Sequence, residues 1–471
     1  MSEKSPADTH LYFMGICGTA MGSVAAAFRD AGYRVSGSDS HVYDPMKSFL
    51  EDSGIEILDG YKAENIEGDA GDNPVDWYVI GNAQSRGNPE VEAVLDRKLP
   101  YISLPQLLRE RVLRGNSNYV VSGTHGKTTT SSMLTWIFES AGRNPGFIIG
   151  GLPGNLEQGA RFTDSGINVL EGDEYDSAFF DKRSKFIHYL PEVAIVNNIE
   201  FDHADIFDNL DAIKKTFGHM IRLVPSNGLV VLNGDDENCL AVFEKEGHAP
   251  MKRVGFADNC EARIDGVDYG ADETSFTLEG ERYVLPMNGE FNVRNASMAV
   301  TAARFGGVSP DQIRDALASF LGIKRRQEVR GVTDRGITVI DDFGHHPTAI
   351  KQAIQALRPK YEGARMWALF EPRSNTTRRN IFQEALPDAL GEADGVCIAA
   401  VARANLLDEE ERLDTDLLME TLRAGGKPAY YEPDVDAIVA RLEAEAEDGD
   451  VIVVFSNGGF GGIHDRLLSE L

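Results

Sequence analysis

Residues 122–130 read Ser-Gly-Thr-His-Gly-Lys-Thr-Thr-Thr, a lysine and hydroxyls directly after a glycine turn. Tyr119, Val120 and Val121 before the turn are β-formers, and Met133, Leu134, Trp136, Ile137 and Phe138 after it recur at helical spacing. A strand, a tight turn and a helix start leave backbone N–H groups pointing outward at the positive end of a helix dipole. There Lys127 can reach a β- or γ-phosphate, and the Thr128 hydroxyl can ligate Mg²⁺. The usual phosphate loop has its first glycine where Val121 stands; this chain displaces it to Gly123. Strand, loop and helix together predict nucleotide phosphate binding in spite of that shift.

Those residues need a parallel sheet around them, and two further apolar runs supply candidates. Ile167-Asn-Val-Leu170 leads into Glu171-Gly-Asp-Glu-Tyr-Asp176, and Val193-Ala-Ile-Val196 leads into Asn197-Asn-Ile-Glu-Phe-Asp-His203. Groups just past strand C-termini converge on the ligand crevice of a parallel α/β sheet. Glu171 and His203 can therefore meet the metal or phosphate held by Lys127 and Thr128. Some of Asp173, Glu174 and Asp176 can equally be helix caps.

An earlier βαβ unit is written in Leu11-Tyr-Phe-Met14, the glycines Gly15, Gly18 and Gly22, an amphipathic helix to about Ala31, and a second strand ending at Asp39. An acid there suits a ribose hydroxyl. The spacing GxxGxxxG rather than GxGxxG speaks against plain NAD, and close helix–strand packing is the other reading of these glycines. Trp77–Ile80 followed by Gly81-Asn82 is a further strand and turn. The polar stretch 111–118 reads as a linker. Asn292 and Asn295 open an alanine-rich helix, where asparagine is often only a cap. A last segment, from about Gly322, has strands ending in Asp341-Asp-Phe-Gly-His-His-Pro347, Glu371-Pro-Arg-Ser-Asn-Thr376 and Ser456-Asn-Gly-Gly-Phe-Gly-Gly-Ile-His464. The acidic run 443–450 reads as a solvated helix end.

At 471 residues the chain predicts about three domains of ~150 residues. A net charge of −29 without any basic block argues against a nucleic-acid partner. It leaves anionic substrates open, since glycine loops and helix ends supply local positive potential. The four cysteines lack zinc or disulfide spacing. Residues 1–10 have no apolar signal core, and no eighteen-residue apolar run exists, so the expectation is a cytoplasmic protein that does not enter a membrane.

Gly123-Thr-His-Gly-Lys-Thr-Thr-Thr130, Asn198-Ile-Glu-Phe-Asp-His203, Asn292-Val-Arg-Asn295 and Asp341-Asp-Phe-Gly-His-His-Pro347 occur in this order. Together they resemble the Mur ligases, ATP-dependent amide-bond-forming enzymes of peptidoglycan synthesis, over essentially the whole chain. The displaced glycine is that family's form of the loop. The resemblance implies three α/β domains: a Rossmann-like UDP-substrate domain (1–112), a central P-loop ATPase-type parallel sheet (113–321) and a Rossmann-like C-terminal domain (322–471).

It also implies roles. Gly123, Thr124, His125, Gly126, Lys127, Thr128 and Thr129 would cradle ATP, with Asn295 at adenine and Arg326 and Asp341 at phosphates and ribose. Thr128 and Glu171 would hold Mg²⁺ and His203 a second ion, although imidazole is an unusual magnesium ligand. Lys127, His203, Arg326 and His345 are the expected catalytic set. Of His345 and His346 one is expected to be structural, because neighbours on an extended segment point opposite ways. Gly15, Cys17, Gly18, Thr19, Ala20, Met21 and Gly22 would face the UDP diphosphate through their backbone, with Asp39 on the uridine side and Asn82 nearby; Cys17 is a small loop residue, not a nucleophile. Arg373, assisted by Ser374 and Asn375, would recognise a peptide carboxylate, or else forms a surface ion pair. Many family members carry a carbamylated lysine at a position that falls at or near Gly218 in this chain, with Lys214 and Lys215 about one turn earlier, so none is assigned.

Within the family, the strings 174–186, 201–207, 371–376 and 456–464 resemble the branch that joins the tripeptide L-Ala-γ-D-Glu-meso-diaminopimelate to UDP-N-acetylmuramate in murein recycling. The alternatives are the branch that adds a single L-alanine and, outside ligases, a dehydrogenase-like nucleotide-binding protein. A monomer or weak homo-oligomer is expected.

Overall fold

The computed structural model describes residues 4–67 and 74–471, which form two compact units. The first gathers residues up to Ile199, Ile213–Arg263 and Ala296–Ala316; the second gathers Glu200–Ala212, Ile264–Asn295 and Leu317–Leu471.

Two large sheets organise the first unit. The N-terminal one has five parallel strands in the order Glu56–Asp59, Arg34–Asp39, His10–Met14, Trp77–Ile80, Tyr101–Ser103. His10–Met14 is buried at every position, as a central parallel strand must be. Its neighbour in sequence, the helix Thr19–Asp30, packs Phe28 onto Phe13 and, edge-on at 4.9 Å, onto Phe162 of the next segment. The second sheet is centred on Ser117–Ser122, flanked in parallel by Val193–Val196 and Ile167–Glu171. Leu229–Asn233 and Met251–Gly255 extend it on one side; Gly146–Ile148 and the antiparallel edge strand Ala160–Arg161 extend it on the other. The expected linker at 111–118 is structured instead. Arg109–Leu113 form a π-helical turn, and Ser117 and Asn118 already belong to the central strand. Asn118 is polar because its amide ties Leu113 and Leu190 carbonyls together in the interior.

A six-stranded sheet organises the second unit, in the order Glu328–Val332, Thr338–Asp342, Val451–Phe455, Met366–Phe370, Gly395–Ala399, Ala429–Glu432, antiparallel only at Glu328–Val332. Period-two alternation sends Ile340, Val453, Ala368 and Phe370 into one core with the helix Pro347–Leu357. Val339, Ile452, Val454 and Leu369 enter another with the helices Val435–Glu445 and Ile463–Glu470. Helices on both faces explain why these strands are hydrophobic throughout. The acidic run 443–450 is not wholly solvated: buried Asp450 accepts from Trp367 Nε1 (3.0 Å) and Arg365 (2.9 Å). Residues 264–269 of Ala262–Tyr269 pair antiparallel with Thr274–Leu278, which pairs with Glu281–Leu285. All four cysteines are free, and among the described residues no helix is long and apolar enough to cross a membrane.

Candidate active site

The loop after Ser117–Ser122 turns at Gly123 (φ +132°) and enters the helix Lys127–Ser140 through Gly126 (φ +79°). A Cβ on Gly123 would lie 3.0–3.1 Å from Asn197 Cβ and the backbone nitrogens of Asn197 and Asn198. The displaced glycine therefore lets the loop cross the end of the neighbouring strand. Asn198 fastens that crossing: its carbonyl accepts from Thr124 N (3.1 Å) and its Oδ1 from His125 N (2.7 Å). The first-turn amides of Lys127, Thr128 and Thr129 have no intrahelical acceptor and point along the helix dipole.

Lys127 Nζ donates to Gly123 O (2.7 Å) and to both oxygens of Glu174 (2.9 and 3.0 Å). Burial lowers the ammonium's pKa, but Glu174, Asp173 and Glu171 more than offset it, and the net direction is up. Lys127 is thus a permanent cation held in the loop. Thr128 Oγ1 donates to Glu171 Oε1 (3.0 Å), whose Oε2 accepts from Gly150 N (2.7 Å). A hydroxyl and a carboxylate oxygen side by side at a helix N-terminus are the hard-oxygen donors that Mg²⁺ prefers.

The acids after Glu171 cap no helix, contrary to one expectation. Asp173 pairs with Lys185 (2.6 Å), Glu174 with Lys127, and Asp176 with Lys182 (2.8 Å) as it starts the hairpin Asp176–Ala178/Asp181–Ser184. That hairpin folds Lys185 back beside the loop. Glu174 was missed because its partner lies 47 residues away; the acids at 173–176 followed by the cations at 182–185 were the available signal.

The first glycine turn differs from expectation in its amides. Gly15 N and Ile16 N both bond Ser38 O (2.8 and 3.1 Å), Gly18 N bonds Gly15 O (3.2 Å), and Gly22 N bonds Gly18 O (2.7 Å). Cys17 N bonds Asp39 Oδ2 (2.9 Å), and the other Asp39 oxygen accepts from His41 N (3.1 Å). These amides and Asp39 are engaged in shaping the turn. Its exposed part is Gly18, Thr19 and Ala20, where the next helix begins, with Asn82 exposed after the fourth strand and Met21 buried. Burial and Asp39 push the Cys17 thiol up to about 11, as befits a residue that is not a nucleophile.

In the second unit, Asp202 is the buried hub that sequence reasoning overlooked. It accepts from Thr376 Oγ1 (2.7 Å) and lies 3.5 Å from His345 Nε2. Burial opposes its charge, but His345, His203 and Thr376 hold its pKa well below the usual carboxylate range. His203 beside it adopts left-handed backbone (φ +55°). Of the two adjacent histidines, His346 caps Pro347–Leu357 through Nδ1 and packs on Phe382 at 4.6 Å. Asp341, expected at a ribose, is 1% exposed and bonded to Arg325 (3.1 Å), with His464 at 3.4 Å; it braces its own unit instead of facing solvent. Arg326 stacks over Phe343 at 5.1 Å. Asn295 is buried near the start of Glu290–Phe305. Arg373 pairs weakly with Glu371 (3.4 Å) and lies across Gly458, where any side chain would collide with it. Ser374 bonds Thr377 (2.8 Å), and Asn375 bonds Asp205 (2.8 Å). At Gly218 a Cβ would meet Glu246 Cγ at 2.9 Å, so a side chain there requires Glu246 to shift.

Three family models match in succession: the Mur ligase family catalytic domain over residues 10–114, the Mur ligase middle domain over 121–303, and the Mur ligase glutamate ligase domain over 325–458. The chain is 44% identical to the UDP-N-acetylmuramate–L-alanyl-γ-D-glutamyl-meso-2,6-diaminoheptandioate ligase of Escherichia coli K12, covering 98% of both chains. The chain belongs to the Mur ligase family. A ligase of the same name from Haemophilus influenzae is 42% identical over 98% of this chain and 99% of its own. The UDP-N-acetylmuramate–L-alanine ligase of Acetivibrio thermocellus is 32% identical over 98% of this chain and 96% of its own. Among solved structures, a murein peptide ligase from Psychrobacter arcticus superposes with a TM-score of 0.72 at 36% identity, covering 98% of each chain. The UDP-N-acetylmuramate–alanine ligase of Thermotoga maritima shares the fold, with a TM-score of 0.78 at 21% identity and 98% of each chain covered. This Mur ligase therefore has the three-domain α/β fold of its family and forms an amide bond at the expense of ATP.

Proposed function

We propose that this ligase joins L-Ala-γ-D-Glu-meso-diaminopimelate to the lactyl carboxylate of UDP-N-acetylmuramate in the cytoplasm, with ADP and phosphate as products. The observation that carries the reading is the paired lysine loop, Lys127 bound to Glu174 above a helix N-terminus, in a chain 44% identical to a ligase named for that tripeptide. A carboxylate is inert to amines until one oxygen becomes a leaving group. The muramyl carboxylate oxygen would attack the γ-phosphorus of ATP and release ADP. The peptide's terminal amine would then attack the acyl carbon, expel phosphate and lose a proton. Negative charge builds on the transferring phosphoryl, so positioning and fixed positive charge supply most of the catalysis.

Lys127 and the first-turn amides of Lys127, Thr128 and Thr129 would bear that charge. Thr128 and Glu171 would hold Mg²⁺, which when bound neutralises phosphate charge and orients the nucleotide. Arg326 and Asn295 are assigned to the nucleotide, and Thr19, Ala20 and Asn82 to the UDP moiety. His203 and His345, poised by Asp202, are assigned to the reacting groups, and Arg373 to a peptide carboxylate. The deciding experiment incubates protein, Mg²⁺, ATP and UDP-N-acetylmuramate with tripeptide or with L-alanine and follows phosphate release. Release with tripeptide is expected. Release with alanine only would replace the substrate assignment, and release with neither would remove it.

A further inference from the structure

The turn that follows Met366–Phe370 carries a buried cation with unmet donors. Arg378 is 8% exposed, and its Nη2 donates to Asn375 Oδ1 (2.6 Å), while Nε and Nη1 are buried with no hydrogen-bond partner. A guanidinium offers five N–H donors and cannot shed its charge, so two buried nitrogens left idle are costly unless an acceptor completes them. Its surroundings raise that cost. Arg379 is anchored to the same residue through Asn375 O (2.7 Å), and the Ala402 N–Pro372 O bond (3.0 Å) brings the next loop alongside, with Arg403 in left-handed backbone (φ +52°). Burial, then Arg379 and Arg403, lowers the proton affinity of Arg378, and Asp205, itself bonded to Asn375, offsets this only in part. Arg378 and Arg379 meet at Asn375, Arg403 on the adjoining loop adds a third positive charge that acts on the same buried fork, and such a group is suited to receive an anion.

We propose that Arg378, with Arg379 and Arg403, binds a carboxylate of the acceptor peptide that lies beyond its N-terminal alanine. This rests on the acceptor reading above. The cluster grows from the same turn as Arg373, five residues on, and so belongs to the acceptor side of the enzyme and not to the phosphate loop. The tripeptide carries three carboxylates past its first residue, whereas free alanine has only the one beside its amine. An arginine cluster therefore supplies discrimination that a single cation cannot.

Steady-state phosphate release would be measured for the wild type, Arg378→Gln and Arg403→Gln, with the tripeptide and with analogues in which each carboxylate beyond alanine is amidated in turn. Arg378→Gln is expected to raise the tripeptide KM about 10–100-fold, the equivalent of one lost charged hydrogen bond, with kcat within a few-fold and the KM for ATP unchanged. The wild type should lose a similar factor on one amidated analogue, and Arg378→Gln should no longer distinguish that analogue from the tripeptide. A purely structural arginine would not erase this discrimination. Exposed Arg403→Gln should move both readouts in the same direction, about threefold, and decides the matter if Arg378→Gln does not fold. Unchanged tripeptide KM and retained discrimination in the folded variants would overturn the pocket while leaving the ligase reading intact. A wild type that accepts alanine and refuses tripeptide would instead remove the acceptor reading itself.

Discussion

The two glycine turns of the first unit look alike in sequence: each follows a buried strand, each needs positive φ at a glycine (+84° at Gly15, +132° at Gly123), and each opens a helix. They differ in where amides and charges go. At Gly15 the amides of four consecutive residues bond within the fold, and the near charge is the carboxylate of Asp39. At Gly123 the loop hangs from Asn198 and carries the cation Lys127, balanced by Glu174. A diphosphate that is only held can rest on a helix start and its dipole. A phosphoryl group in transfer gains charge along its path, and a fixed cation with a fixed counter-ion is ready for that change without reorganisation. Glycine spacing alone does not separate these tasks; the lysine and its partner do.

The harshest way to break the comparison is Lys127→Ala. Turnover should fall by about 10³-fold while the affinity for UDP-N-acetylmuramate, measured by calorimetric titration, stays within about twofold. Equal losses in both would mean that the two turns are not separate sites.

Glu174→Gln sharpens it next. The pair is buried, with side-chain exposures of 14% for Lys127 and 3% for Glu174, so removing one charge should destabilise the protein by about 3–5 kcal/mol. The sign with pH follows from the raised pKa of Lys127. Its stabilisation is complete below the unfolded ammonium value of ~10.4 and is lost as pH rises through the higher folded value. Melting temperatures between pH 8 and 11 should therefore show an alkaline fall in the wild type that is blunted in Glu174→Gln. Parallel curves would show that Glu174 does not sustain the cation.

Asp39→Asn probes the other turn. One amide oxygen replaces two carboxylate oxygens, so either Cys17 N or His41 N loses its acceptor. The KM for UDP-N-acetylmuramate should rise about tenfold with that for ATP unchanged. An effect on ATP instead would reverse the assignment of the turns.

What the sequence disclosed and what it concealed divide along the same line. Strand, glycine, Lys127, Thr128 and the strand-end Glu171 were legible because they are local or obey the rule that strand C-termini face the ligand. Glu174, Asp202 and the internal bonds of Asp39 were not, since each depends on a return of the chain: a short hairpin at 176–184, a contact with Thr376 across 174 residues, a loop closing on Cys17. Asp173, Glu174 and Asp176 resembled helix caps for lack of any signal that a hairpin, not a helix, followed. The burial of Asp341 was likewise hidden, because it depends on Arg325 and His464 from either end of its domain.

The glycines themselves test why the second turn has its glycine displaced. Alanine at Gly15 meets Gln84 Nε2 at 2.7 Å, the far end of a side chain that can swing away from Tyr61, so the cost is the left-handed backbone, about 1–2 kcal/mol. Alanine at Gly123 meets backbone nitrogens of Asn197 and Asn198 at 3.1 Å, which cannot move without disturbing the strand that carries them, and φ of +132° lies outside the left-handed helical region altogether. Gly123→Ala should therefore destabilise more than Gly15→Ala in urea unfolding, by up to about 3 kcal/mol, and raise the KM for ATP alone. Gly15→Ala should raise the KM for UDP-N-acetylmuramate alone. If the two cost the same, the strand end at Asn197–Asn198 does not demand glycine, and the displacement has some other cause than the crossing it permits.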